Sequence, residues 1–91
     1  MHKIVFTRRA FKDLDKIPKD EKSRIGQKLQ EYAQEPLKYA KKLTSAKIGT
    51  YRFRVGDYRI VFDIENDEIV VLRVGNRRDI YIALLNDSWN S

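Results

Sequence analysis

Arginine occupies positions 52, 54 and 59 of the stretch YRFRVGDYR (51–59), and returns at 77 and 78, shortly before Tyr81. A guanidinium is always charged and presents a rigid planar fork that grips phosphate through two parallel hydrogen bonds. Alternation along a strand separates Tyr51, Phe53 and Val55 on one face from Arg52 and Arg54 on the other. Gly56-Asp57 fits a two-residue hairpin turn with glycine first, which pairs Val55 with Tyr58, Arg54 with Arg59 and Phe53 with Ile60. Arg54 and Arg59 then face each other with Cβ atoms ~5 Å apart, and like charges so placed destabilise a sheet by at least a few tenths of a kcal/mol. An arginine cluster with no carboxylate opposite makes physical sense when the missing counter-charge is a ligand, and phosphate is the obvious candidate. The count of arginines decides little by itself. Exposed sheet faces are often charged, and Asp57 or Asp63 can neutralise part of the cluster.

The segment VGNRRDIY (74–81) extends the pattern. Gly75 permits a sharp turn that delivers Arg77, Arg78 and Tyr81 to the mouth of the same groove. Tyr81 can stack on a base or exchange a proton there; its plainer role is a core aromatic with a wet hydroxyl. Other chemistries are excluded by absence. The chain has no cysteine, so disulfides, thiolate zinc sites and cysteine nucleophiles are ruled out. Its one histidine, His2, argues against a histidine-rich metal site, and neither a metal nor a cofactor is expected.

Charge is unevenly distributed. Nineteen basic residues against 13 acidic give a net charge of +6, which permits polyanion binding without establishing it. All 10 lysines lie within residues 1–47, whereas 6 of the 9 arginines follow. Lysine is a mobile, strongly hydrated point charge. The first half therefore reads as a general positive field and the second half as the seat of specific contacts.

The elements that must position these residues read as follows. HKIVFT (2–7) is a short strand, and Thr7 is the N-cap of a helix over 8–17 with Phe11, Leu14 and Ile17 at helical spacing. Pro18 breaks that helix. A second helix spans 19–35 with Ile25, Leu29, Tyr32 and Ala33 as its buried stripe, and Pro36 marks its end. Residues 37–49 form a basic, irregular connector pinned to the core by Leu37, Tyr39 and Leu43. Three strands follow, about 50–55, 58–65 and 68–75, the last two joined by a turn at Asn66-Asp67. That turn sets Val61 opposite Leu72 and Asp63 opposite Val70, and leaves Arg73 beside Ile60 on the helix side as a snorkelling edge residue. The tail after Gly75 is read as strand, helical turn or both, with Ile80, Ile82, Leu84 and Leu85 covering the apolar end of the arginine face. The order β-α-α-β-β-β plus a short C-terminal segment predicts an α+β fold: an antiparallel β-sheet with two N-terminal helices packed on one face. Residues 1–91 form a single domain. No apolar run approaches the ~20 residues of a membrane span and no signal-peptide pattern is present, so a cytoplasmic location is expected.

GTYRFRVGDYRIVFDI (49–64) and VLRVGNRRDIY (71–81) carry a resemblance to the RelE/ParE superfamily of toxins from toxin–antitoxin pairs. FTRRAFKDLDKIP (6–18) and PLKYAKKL (36–43) match in style, so the likeness spans nearly the whole chain. The resemblance implies a sheet-and-helix fold like that of small microbial ribonucleases. For the RelE-like branch it also implies cleavage of mRNA in the ribosomal A site, together with an antitoxin partner. Its basic strand residues fall on Arg52 and Arg54, the arginine after the hairpin on Arg59, and the C-terminal arginine and tyrosine on Arg77 and Tyr81. Relatives often carry lysine at the first two positions and histidine where this chain has Asn76, so proton carriers are scarce here. The expected catalytic set is Arg54, Arg59, Arg77 and Tyr81, and the expected RNA-binding set is Arg52, Arg78, Lys41, Lys42 and Lys47. RNA supplies its own nucleophile, the ribose 2′-OH, so positioning and charge stabilisation suffice. Weak cleavage away from the ribosome follows from the missing general base. The competing expectation is a ParE-like inhibitor that binds DNA gyrase and performs no chemistry.

Overall fold

The structure, a computed structural model, describes residues 2–43 and 51–86. Its elements in chain order are β1 (Lys3–Phe6), α1 (Arg8–Asp15), α2 (Lys19–Tyr32), α3 (Pro36–Tyr39), β2 (Lys41–Lys42), β3 (Tyr51–Val55), β4 (Tyr58–Glu65), β5 (Glu68–Asn76) and α4 (Arg77–Asn86). They build one five-stranded sheet in the order β1-β5-β4-β3-β2. Neighbours pair antiparallel except β1, which lies parallel to β5 with Ile4 opposite Ile69. Parallel neighbours need a long crossover rather than a hairpin, and the excursion through α1 and α2 belongs to it.

Local signals explain the boundaries. The Thr7 hydroxyl accepts the Ala10 N–H at 3.2 Å and so caps α1, and Asp20 and Glu21 favour the first turn of α2. Gly56 and Asn66 both adopt positive φ (59° and 56°), as the first central residues of two tight hairpin turns. Periodicity decides the rest. Phe53, Val55, Ile60, Phe62, Ile69, Val71 and Val74 share one sheet face and bury against Ala10, Ile17, Ile25, Leu29 and Ala33 of the helical half. The Phe53 and Phe62 rings stack at 4.2 Å between centroids at the centre of that layer. On the opposite face Val61 is fully buried, as is Ile80 of α4, both apart from the main core.

The β3–β4 register is the one that Gly56-Asp57 predicts: Val55 opposite Tyr58, Arg54 opposite Arg59, Phe53 opposite Ile60. Asp63 also faces Val70 as expected, but the expected pairing of Val61 with Leu72 does not form. A bulge skips Leu72, so that Val61 faces Arg73 and Ile60 faces Val74. Without it Arg73 would stand opposite Ile60 within the apolar layer; with it, Val74 takes that place. Arg73 is not a snorkelling edge residue either. Its Nε and Nη2 donate to Asp13 of α1 at 2.7 and 3.3 Å, and the same carboxylate accepts the Val74 N–H at 3.0 Å. Asp13 thus holds α1 against the half of β5 that extends beyond β1.

Three further expectations change. Phe11 is 57% exposed, because it packs against Phe6 at the margin of the sheet (5.4 Å between ring centroids) while Ala10 takes the core position. Leu37 and Tyr39 are also exposed, while Leu43 is half-buried; the buried residue at this point of the chain is Pro36, just before the connector. The connector itself, read as irregular, is ordered in part as α3 and β2; the tail takes the helical one of its expected forms. Residues 44–49 of the expected connector lie outside the described residues.

Candidate active site

The β3–β4 hairpin and the first turn of α4 bring the arginines together. Arg52 and Arg59 project from the face opposite α1 and α2, and Arg77, Arg78, Ile80 and Tyr81 join them around a groove of about 450 Å³. Gly75 permits the closeness: it lies opposite Arg59, and a Cβ there would come within 3.3 Å of the Ile80 Cδ1 atom, so the first turn of α4 can settle onto β5. Ile80 is the buried apolar residue of that lining, and Val61, also buried, lies on the same sheet face as Arg59.

Each expected site residue has a definite place. Arg59 is half-buried and its Nη1 donates to the carbonyls of Gly56 (3.0 Å) and Tyr58 (3.1 Å). Arg54 stands directly opposite Arg59, exposed, beside the groove rather than in its lining. Arg77 and Arg78 open α4, with the Arg77 N–H donating to the Asp57 carbonyl at 2.7 Å. Tyr81 is 63% exposed and lines the groove, so the core-aromatic role does not apply to it. Lys41 pairs with Arg52 across β2–β3 and shares its face, whereas Lys42 pairs with Tyr51 on the face that carries the helices. Lys42 is therefore not brought to the groove. Of the residues expected to cover the apolar end, Ile80 is buried but Ile82 is 43% exposed, and Lys47 and the side chains of Leu84 and Leu85 lie outside the described residues.

Among the described residues the groove arginines form no ion pair, although the charge of Asp57 reaches Arg59. Among the described residues the ion pairs are Lys28–Glu31, Lys38–Glu35 and Arg73–Asp13, none of them in the groove. Partial burial lowers the Arg59 guanidinium pKa from its ordinary value, and the nearby charges of Arg52, Arg54 and Arg77 lower it further; Asp57 acts in the opposite direction. Arg77 and Arg78 also occupy the first turn of a helix, where the macrodipole disfavours cations. Both costs are relieved by an anion bound among them. The arrangement can therefore bind a phosphate diester, offset charge that accumulates on its oxygens, and present one phenol at close range.

Three contributors escaped the sequence reading. Asn76 accepts the Asp79 N–H on Oδ1 at 2.8 Å and so caps α4, a role legible in the spacing of NRRD (76–79), which resembles a capping box. The carbonyls of Gly56 and Tyr58, which hold Arg59, leave no mark in side-chain types. Tyr58 itself donates its hydroxyl to Glu21 of α2, a contact across 37 positions of chain.

Comparison with known proteins bears on the family and the fold. The profile of the family described as "ParE toxin of type II toxin-antitoxin system, parDE" matches residues 4–81. The toxin RelG of Mycobacterium tuberculosis is 36% identical, the match covering 86% of this chain and 93% of that protein. Toxin RelE3 of Methanocaldococcus jannaschii is 34% identical, with 87% and 94% covered. Among solved structures, the toxin–antitoxin complex RelBE2 of Mycobacterium tuberculosis contains a chain that superposes with a TM-score of 0.76 at 30% identity, covering 84% of this chain and 98% of that one. Fold and sequence agree: the chain belongs to the RelE/ParE superfamily of type II toxin–antitoxin toxins.

Proposed function

We propose that this protein is a metal-independent, ribosome-dependent endoribonuclease that cleaves mRNA in the A site and arrests translation. The observation that carries the reading is the convergence of Arg52, Arg59, Arg77, Arg78 and Tyr81 on one groove with no carboxylate partner among the described residues. In the reaction the ribose 2′-oxygen forms a bond to the adjacent phosphorus and the bond from phosphorus to the 5′-oxygen breaks. The products are a 2′,3′-cyclic phosphate and a free 5′-hydroxyl. Arg59 and Arg77 offset the charge that builds on the phosphoryl oxygens, with Arg54 beside them, while Arg52, Arg78 and Lys41 hold the flanking backbone. Tyr81 is the one phenol in the groove lining able to pass a proton to the departing 5′-oxygen. No histidine stands in the groove lining to take the 2′-proton, which passes to solvent water as the 2′-oxygen bonds to phosphorus. The slow step that results depends on the ribosome to align the RNA for in-line attack.

A cognate antitoxin is the expected partner. The complexes named RelBE2 and RelB-RelE support it, and an acidic, partly disordered chain wrapping the basic surfaces suits the net charge of +6. The ParE description of the matching family favours a second reading, inhibition of DNA gyrase without chemistry. Toeprinting on a programmed ribosome separates the two. Cuts within the A-site codon support the ribonuclease, whereas blocked supercoiling with intact RNA selects the gyrase inhibitor.

A further inference from the structure

A cluster of like charges does not hold itself together, and the structure contains a brace. The Gly56-Asp57 turn touches both arginines that the proposed chemistry depends on most. Its Gly56 carbonyl, with that of Tyr58, fixes the Arg59 guanidinium, and its Asp57 carbonyl accepts the first N–H of α4 and so fixes Arg77. The turn is in turn held from α2. Glu21 accepts the Tyr58 hydroxyl, and Arg24, one helical turn later on the same side of α2, lies over Gly56 with Nη2 3.2 Å from where a Cβ would stand. Glu21, Arg24, Ile25, Val55, Gly56, Asp57 and Tyr58 together enclose a small surface pocket of about 140 Å³ on the helix side of the turn, away from the groove.

We propose that Tyr58 and Glu21 are positioning residues for the anion groove: their hydrogen bond docks the Gly56-Asp57 turn on α2, and the turn sets the spacing of Arg59 and Arg77. Neither side chain lines the groove. The catalytic arm of the test rests on the ribonuclease reading; the anion-binding arm does not.

Charge and position make opposite predictions at Glu21. Removing a carboxylate near a basic groove strengthens anion binding if only charge matters. If the carboxylate positions the turn, removing it weakens anion binding. The experiment titrates inorganic phosphate into the full chain, following the arginine Nε–H resonances by NMR, for Tyr58→Phe, Glu21→Ala, Glu21→Gln and the Tyr58→Phe/Glu21→Ala double variant. Single-turnover mRNA cleavage on a programmed ribosome at saturating protein is measured in parallel, with thermal melts to establish folding. Tyr58→Phe and Glu21→Ala should each weaken phosphate binding and slow cleavage by about three- to tenfold, as expected when one hydrogen bond sets geometry. The double variant should be no worse than either single one, and Glu21→Gln, which keeps an acceptor, should stay within twofold of the parent. Unchanged phosphate affinity in folded Tyr58→Phe overturns the proposal, as does tighter phosphate binding in Glu21→Ala. Weakened phosphate binding together with an unmodified protein that cleaves no RNA overturns the ribonuclease reading and leaves the positioning role standing.

Discussion

The groove should cost the fold stability, and Arg54 is where that cost is measured most cleanly. Its side chain forms no hydrogen bond or ion pair among the described residues, and it stands directly opposite Arg59. Changing Arg54→Gln keeps length and polarity, removes one positive charge and leaves intact the backbone carbonyl that accepts the Tyr32 hydroxyl at 3.2 Å. Direct cross-strand repulsion of this kind is worth ~0.3–1 kcal/mol once solvent screening is included. For a domain of this size that corresponds to a rise of roughly 2–5 °C in Tm at low salt. Raising the ionic strength from about 0.02 M to 0.3 M shortens the screening length severalfold, so the gap between variant and parent should close. Phosphate should act in the other direction. At tenfold above its Kd, a ligand bound only to the native state adds about 1.4 kcal/mol, and the parent should gain more than the variant because it binds more tightly. The assay is a set of thermal melts in chloride at two ionic strengths, repeated with phosphate. A variant that melts below the parent at low salt, or a parent that phosphate fails to stabilise, refutes the claim that these arginines are held together for an anion.

Other consequences follow from the same geometry. Asp13→Ala should lose ~3–5 kcal/mol in urea denaturation, because it strands the Arg73 charge and the Val74 N–H, while Asp13→Asn should lose less; equal, negligible losses would show that the α1–β5 contact is not held by this carboxylate. Gly56→Ala should destabilise by ~1 kcal/mol or more, since φ is +59° and the new Cβ meets Arg24, and a neutral result would contradict the turn geometry. The Tyr58 hydroxyl is held above its ordinary 10.0, by the hydrogen bond to Glu21 first, then by burial and the charges of Glu21 and Asp57. A raised folded pKa means that its contribution is complete below pH 10 and is lost as pH climbs through the folded value. The difference in urea midpoint between the parent and Tyr58→Phe should therefore be flat from pH 7 to 9 and shrink above 10; a difference that grows with pH would invert the assignment.

What the sequence makes legible is local. Gly56-Asp57 dictates the β3–β4 register to the residue, because a two-residue turn leaves only one alignment that buries Phe53, Ile60 and Phe62 together. The groove face follows by alternation. What lies beyond local pattern is contact across distance. The bulge at Leu72 arises because the edge of β5 must meet α1, with the Thr7 hydroxyl donating to the Leu72 carbonyl at 3.3 Å and Asp13 taking the Val74 N–H, and the Asn66-Asp67 turn carries no trace of this. Arg73 therefore reads as a solitary cation until Asp13, 60 positions earlier, is seen beside it. Phe11 misleads for a related reason: its spacing fits the core, yet a small Ala10 fills the place where α1 meets the sheet. Asn76 reads as a missing proton carrier, and its place at the head of α4 gives it a different task.

The most direct test of the nuclease uses an mRNA carrying a single 2′-deoxy nucleotide at the position cut within the A-site codon. With programmed ribosomes, the parent protein should cleave the all-ribose message to a 2′,3′-cyclic phosphate and a 5′-hydroxyl, and should leave the 2′-deoxy message whole. Arg59→Ala should cleave neither. Equal cleavage of both messages by the parent, or full activity in Arg59→Ala, would contradict an arginine groove that works on the RNA's own hydroxyl.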